Sequence, residues 1–311
     1  LPLVRQRTIS SGKSAQFPVT GVATAKYHTP GESIMASGTD GSSPADGVLD
    51  TSKYLTQMKH TERVISIDGM LVSSAFIGDI DEAKNHYDVR SAYSTQIGRE
   101  LAYHADRALI RTCIAGARKT TDRFGGSDAK FLGAQVALDT DSPADGVQGD
   151  EIVTGLFTVA QKMDEASVPA DGRHCILSPA NYYKLVNTAS DSVLRAINRD
   201  FGNEGNGSIA RGEIVQVAGI RILKSNHIPT ANESSSQDAV FGDDLINNDV
   251  FVGDGGYSGA NFTATEGICF QTEGLGTVKL LDLAMESEYQ LDRLGTLMVA
   301  KYAMGHGILR E

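Results

Sequence analysis

The sequence has no tryptophan, only 3 cysteines and 8 prolines among 311 residues, and an aromatic share of 6%. Cys113, Cys175 and Cys269 stand far apart along the chain and are odd in number, which fits neither a disulfide framework nor a CxxC metal site. A reducing compartment is the expectation. No stretch approaches the roughly 18 consecutive apolar residues of a membrane helix, and no charged-then-apolar leader precedes a small-residue cleavage site. Positive charge is also scarce: 28 Lys and Arg face 39 Asp and Glu, a formal net charge of -11. The average surface therefore repels phosphate backbones and anionic lipid, and no Lys/Arg run offsets it locally. What the chain does have is 41% hydrophobic residues, enough for two domains or one large one.

From Thr8 to Tyr27 the pattern is extended, with Ala15, Phe17 and Val19 alternating against Ser14, Gln16 and Thr20. Residues 30–53 are rich in Gly, Ser, Pro and Asp and read as a loop, and a second extended segment runs from His60 to Ile77. The period then changes. Asp79 with Glu82 three residues on suits a helix start, and Ile80, Ala83, Tyr87, Tyr93, Ile97, Leu101, Ala105 and Leu109 recur at helical spacing. This predicts one helix over 79–117, longer than the usual globular helix.

Pro44, Pro143 and Pro169 each open a Pro-Ala-Asp-Gly turn at unequal intervals, which marks turns and no repeat architecture. A helix is expected over Ile152–Ala166. Arg173–Leu177 reads as a buried strand entering a helix through Ser178 as cap and Pro179 at the first position. Two strands joined near Ala218-Gly219 follow, then an Asn/Ser/Asp/Gly-rich loop over 230–260, then strand-like segments to the end.

No motif survives as a catalytic site. Gly12-Lys13-Ser14 matches the end of a phosphate-binding loop, but Arg7 occupies the position of its first glycine, and an alternating strand follows instead of a helix. The 7 histidines show no HExxH and no zinc pattern, so His86 and His104 read as packing or surface residues. The tract from Asp141 has Pro143 in place of a calcium ligand and Ile152 where the bidentate Glu belongs. No GxSxG elbow exists, Glu286 and Glu288 read as a solvated edge, and Cys175 in its apolar strand reads as core. No catalytic residue, metal or cofactor is expected. What does stand out is a long extended arm ahead of a long helix, which cannot cover its own edges and calls for a neighbour.

The segments "RTISSGKSAQFPVTG", "KHTERVISIDGML", "DIDEAKNHYDVRSAYSTQIGRELA" and "VAKYAMGHGILRE" stand in order along the chain, and in them it resembles the major capsid proteins of T-seven-like short-tailed phages, the podoviruses of the autographivirus group. The middle, 120–260, is similar more loosely through "VPADGRHCILSPANYYKL" and "GIRILKSNHIP". The resemblance implies an α+β, Hong Kong 97-type capsid fold. Residues 1–7 would be the remnant of an N-terminal arm, 8–77 the E-loop, 78–167 the P domain with its spine helix at 79–117, 168–267 the A domain, and 268–311 the return to the P domain. The implied function is a structural protein that self-assembles into pentamers and hexamers of an icosahedral shell around double-stranded DNA, bound without sequence specificity and without a membrane. Scaffolding protein, portal and a cement protein are the implied partners besides copies of the chain. The implied location is the virion, after assembly in the bacterial host cytoplasm. The arm is expected to bury Phe17, Val19, Ile65 and Ile67 on an adjacent subunit, with Lys13, Glu62 and Arg63 as candidates for charge pairs between subunits. Two alternatives are an encapsulin-like shell around cargo enzymes and a nucleotide-binding enzyme built on Gly12-Lys13-Ser14.

Overall fold

The computed structural model describes residues 2–21, 23, 25, 27–31, 60–84, 88–121, 124, 132–138, 149–186, 207–208, 213–214, 216–234, 241, 245–248, 251 and 256–310. The chain divides into two units, one of Leu1–Ala15 with Val64–Glu311 and one of Gln16–Arg63. The larger unit is built on a four-stranded sheet in the order β1 (Arg5–Thr8), β11 (Leu275–Gln290), β12 (Gly295–Ile308), β4 (Leu71–Gly78). β1 runs parallel to β11, and the other pairings are antiparallel.

On one face of that sheet lies α2 (Val89–Arg118). Its Ile97, Leu101 and Ala105, spaced four apart on one helix face, pack on Ala300, Tyr302 and Met304, which share a face of β12 by strand alternation. The helix is shorter than the one expected over 79–117. α1 (Asp79–Lys84) is a separate piece, and Asp88 adopts an extended conformation whose carboxylate accepts from Ser91 N at 3.2 Å. That N-cap starts a new helix, since a capping residue cannot itself be helical. Glu82, expected to close a capping box at Asp79, instead holds the Arg90 guanidinium through both carboxylate oxygens at 2.8 Å, across the break.

A second sheet, in the order β10 (Gly267–Gln271), β5 (Arg173–Leu177), β9 (Ile220–Lys224), β8 (Gln216–Val217), is covered by α3 (Gly149–Glu165) and α4 (Pro179–Val186). Ile152, Leu156 and Ala160 of α3 and Tyr182 and Leu185 of α4 share one core with Cys175, Leu177, Ile220 and Ile222. α3 therefore packs on this sheet. Ser178 Oγ accepts from Asn181 N at 3.3 Å, the cap read from the sequence. The β8–β9 turn falls on Ala218 and Gly219, both at positive φ (50° and 78°), the two-residue hairpin geometry that favours glycine. β6 (Gly207–Ser208) and β7 (Glu213–Ile214) form a further short pair.

β2 (Ser14–Thr20) pairs with β3 (His60–Ser66), so the extended segments expected over 8–27 and 60–77 are each divided. β1 and β4, at their outer ends, belong to the four-stranded sheet, and the smaller unit is confined to Gln16–Arg63. The loop read at 30–53 lies, after Gly31, outside the described residues, as do His86, Pro44, Pro143 and the tract from Asp141 to Gln148.

Deep in the larger unit Arg111 of α2 is fully buried. Its guanidinium pairs with Glu233 and lies over the Phe241 ring at 4.0 Å, while the second Glu233 oxygen accepts from Ser258 Oγ at 2.8 Å. Breaking such a pair strands a buried charge. Glu233→Ala is expected to cost about 3–5 kcal/mol in urea unfolding; a loss near that of an exposed pair would show that the guanidinium is otherwise satisfied.

Candidate functional site

The structure separates the seven residues expected at an intersubunit surface. Phe17, Val19, Ile65 and Ile67 are 4%, 3%, 1% and 8% exposed in the single chain. The alternation in β2 identified the apolar face, but it carries no information about which molecule covers it. Lys13 and Glu62 are exposed and Arg63 is half-buried.

Gly12-Lys13-Ser14 does not form a phosphate cradle. Gly12 has a φ of 114°, Ser14 opens β2, and the Lys13 carbonyl accepts from Ile67 N at 2.8 Å. A strand pairing takes the place where a helix N-terminus would have to be.

That Lys13–Ile67 bond is one of several that hold the chain where it leaves β3. The Asn248 side chain donates to Ser66 O at 2.7 Å and accepts from Ser66 N at 3.0 Å, standing in for a neighbouring strand. Asn247 Nδ2 donates to Ile67 O at 2.7 Å. Asp68 is the hub: Oδ1 accepts from Asn247 N and Asn248 Nδ2, both at 2.9 Å, and Oδ2 accepts from Tyr257 OH at 2.7 Å. Tyr257 OH in turn accepts from His306 N at 3.0 Å, and His306 Nδ1 meets Thr277 Oγ1 at 3.0 Å. A cavity of about 100 Å³ borders Asp68, Tyr257, His306, His104 and Tyr302. No sequence motif signalled this cluster, because its members lie about 180 residues apart.

The exposed apolar surface lies elsewhere. β1 flanks β11 only over Gly276–Lys279; beyond that, the outer edge of β11 has no strand partner among the described residues. Register shifts between Lys279 and Ala284 bend the strand away from regular pairing. From Leu281 to Tyr289 every β11 residue is exposed, including Leu281, Leu283, Met285 and Tyr289, and Leu291 and Leu294 in the following turn are 78% and 66% exposed. On β4, Val72 and Phe76 are exposed opposite Lys301 and Leu297. Glu286, read as a solvated edge, pairs with Lys301 at 2.9 Å and is itself largely exposed. Unpaired backbone beside solvent-facing Leu, Met and Tyr is the kind of surface that pairs readily with another chain.

A family model described as Gp10A-like, major capsid protein, matches residues 16–311. The chain belongs to that family of major capsid proteins. It is 31% identical over 315 residues to the major capsid protein of Escherichia phage T7, covering 98% of this chain and 81% of that one. With the major capsid protein of Enterobacteria phage T3 the identity is 31% over 328 residues, covering 100% and 83%. Among solved structures, the capsid of the cyanophage P-SCSP1u matches with a TM-score of 0.73 and 38% identity, over 99% of this chain and 84% of that one. The mature capsid of bacteriophage PhiM1 matches with a TM-score of 0.67 at 17% identity, over 99% and 82%, which shows the fold alone.

The fold is therefore the α+β, Hong Kong 97-type fold of phage capsids, and the function is that of a structural shell protein of the virion. Its relatives are structural proteins and assemble into capsid shells. Membership in a phage capsid family sets aside the encapsulin-like and nucleotide-binding readings.

Burial raises the Asp68 carboxyl from 3.8 to about 6, outweighing the bonds from Tyr257, Asn247 and Asn248 that favour its charge. The same burial drives Tyr257 and Tyr302 upward and His306 down to about 3, so all three stay neutral between those values. A carboxyl raised by folding contributes stability that is complete below 3.8 and lost as pH rises through about 6. The capsid subunit is thus expected to lose up to about 3 kcal/mol from this group over that window, and Asp68→Asn to remove that slope. Urea midpoints of both proteins across the window measure it; parallel profiles would show that Asp68 does not titrate there.

Proposed function

We propose that the chain assembles into the pentamers and hexamers of an icosahedral shell around double-stranded DNA, and that Gln16–Arg63 is its E-loop, tighter than the 8–77 read from the sequence. In this reading the sheet of β1, β11, β12 and β4 with α2 is the P domain, and the sheet of β10, β5, β9 and β8 with α3 and α4 is the A domain. The observation that carries it is the outer half of β11, exposed on both faces with its edge unpaired among the described residues. An isolated subunit gains nothing from presenting Leu281, Leu283, Met285 and Leu291 to water. In a closed shell each copy covers such a surface on another, and modest contacts repeated around every subunit hold the whole.

Lys13, Glu62 and Arg63 stand as charges for pairs between subunits, and exposed pairs of this kind contribute little one at a time. A net charge of -11 suits a wall that encloses DNA without gluing it. Assembly in the host cytoplasm with scaffolding protein and a portal, and decoration by a cement protein, follow from the same reading.

Negative-stain microscopy of the purified chain tests it: closed particles are expected, and a monodisperse monomer under conditions of assembly would overturn it. Replacing 21–59 by a short Gly-Ser linker should leave a folded subunit that forms no closed shell. The double change Leu283→Asp and Met285→Asp should also abolish particles with little change in Tm, since both side chains are exposed in the subunit. Normal particles from the charged variant would remove β11 from the interface.

A further inference from the structure

We propose that Cys175 and Cys269 form a dithiol that closes to a disulfide across the second sheet when the protein meets an oxidant. The sequence spreads the three cysteines over more than half the chain, but the fold places them near one another. Cys175 of β5 and Cys269 of β10 are direct partners in the antiparallel register. Directly opposed residues in such a ladder have Cα atoms about 4.5–5.5 Å apart and point to the same face. That lies inside the roughly 4.4–6.8 Å window of a disulfide. Both side chains pack in the core under α3 and α4.

Cys113 is on the other side. It packs with Phe270 on the face turned to α2, and Phe270, next to Cys269 in the strand, points the opposite way from it. Cys113 is therefore the spare thiol. Burial pushes its thiol up to about 12, which keeps it protonated. Cys175 is 1% exposed and its thiol is also raised, by the neighbouring Cys269 and by burial, whereas Cys269 is only partly buried. Of the facing pair, Cys269 is the one that a small neutral oxidant such as hydrogen peroxide reaches first.

The chemistry closes without another reactant. The Cys269 thiol gives its proton to water, and its sulfur attacks a peroxide oxygen; an S–O bond forms, the O–O bond breaks, and hydroxide leaves and is protonated. The Cys175 sulfur, losing its own proton, then attacks the Cys269 sulfur; the S–S bond forms, the S–O bond breaks, and water leaves. The two thiols lose two electrons and the peroxide becomes two waters. The product ties β10, the edge strand of its sheet, to β5. This goes beyond the shell reading and does not rest on it.

The test is oxidation of the purified, reduced full chain with hydrogen peroxide, followed by unfolding, alkylation and peptide mapping without reductant. The expected result is a fall from three alkylated cysteines to one, Cys113, with a single peptide pair joining Cys175 to Cys269 within one chain. Cys113→Ser should form the same link, and Cys269→Ser should form none. Three thiols surviving in the wild type, a link that includes Cys113, or a link between chains would each overturn the proposal. None of those results would alter whether the chain builds particles.

Discussion

The antiparallel pairing of β11 with β12 is the constraint on which the rest of the larger unit depends. It runs from Leu275↔Ile308 to Gln290↔Gly295, and every other element of the first sheet is added to it. β4 takes the free edge of β12, β1 pairs with Gly276–Lys279 of β11, and α2 covers the face carrying Ala300, Tyr302 and Met304. The close approach of Ser66 to Gly305, where a Cβ would run into the Ser66 carbonyl, shows how tightly the chain leaving β3 is seated on the same hairpin. This ladder is a local hairpin, but β4 and β1 join it from more than 200 residues away in sequence, so their cost in chain entropy is met only when several elements dock together.

How much of this could be read beforehand follows the range of the interaction. Arg173–Leu177, the Ser178 cap, the helix after Pro179 and the turn at Ala218-Gly219 are local features, decided by residues within a few positions of one another, and they were legible. The apolar face of β2 was legible too, but its cover was not, since alternation reports a buried side and never the partner. The break before Val89 escaped because apolar spacing continues through it; only the conformation of Asp88 marks the new start. The Asp68 cluster, the Arg111–Glu233 pair and the Cys175–Cys269 register were invisible for a shared reason. Each joins residues more than ninety positions apart, and none falls in a spacing that chemistry imposes on a linear motif.

The fold also divides its labour between backbone and side chains. Ladder hydrogen bonds hold the sheets together whatever the side chains are, while two buried carboxylates, Asp68 and Glu233, hold loops that no ladder reaches. Of the two, Asp68 is anchored by neutral donors and sits uneasily as an anion, whereas Glu233 faces the Arg111 guanidinium.

Asn248 shows what that division means for drift in sequence. Elsewhere a substitution leaves the peptide groups of the sheet in place, so relatives at 31% identity can keep the same ladder. At Ser66 the role of a peptide group is played by one side-chain amide, which both donates and accepts. Aspartate has the same outline, yet it would turn an oxygen toward the Ser66 carbonyl in place of the N–H, so hydrolysis of that single amide, an ordinary form of protein ageing, would undo a strand contact without breaking the chain.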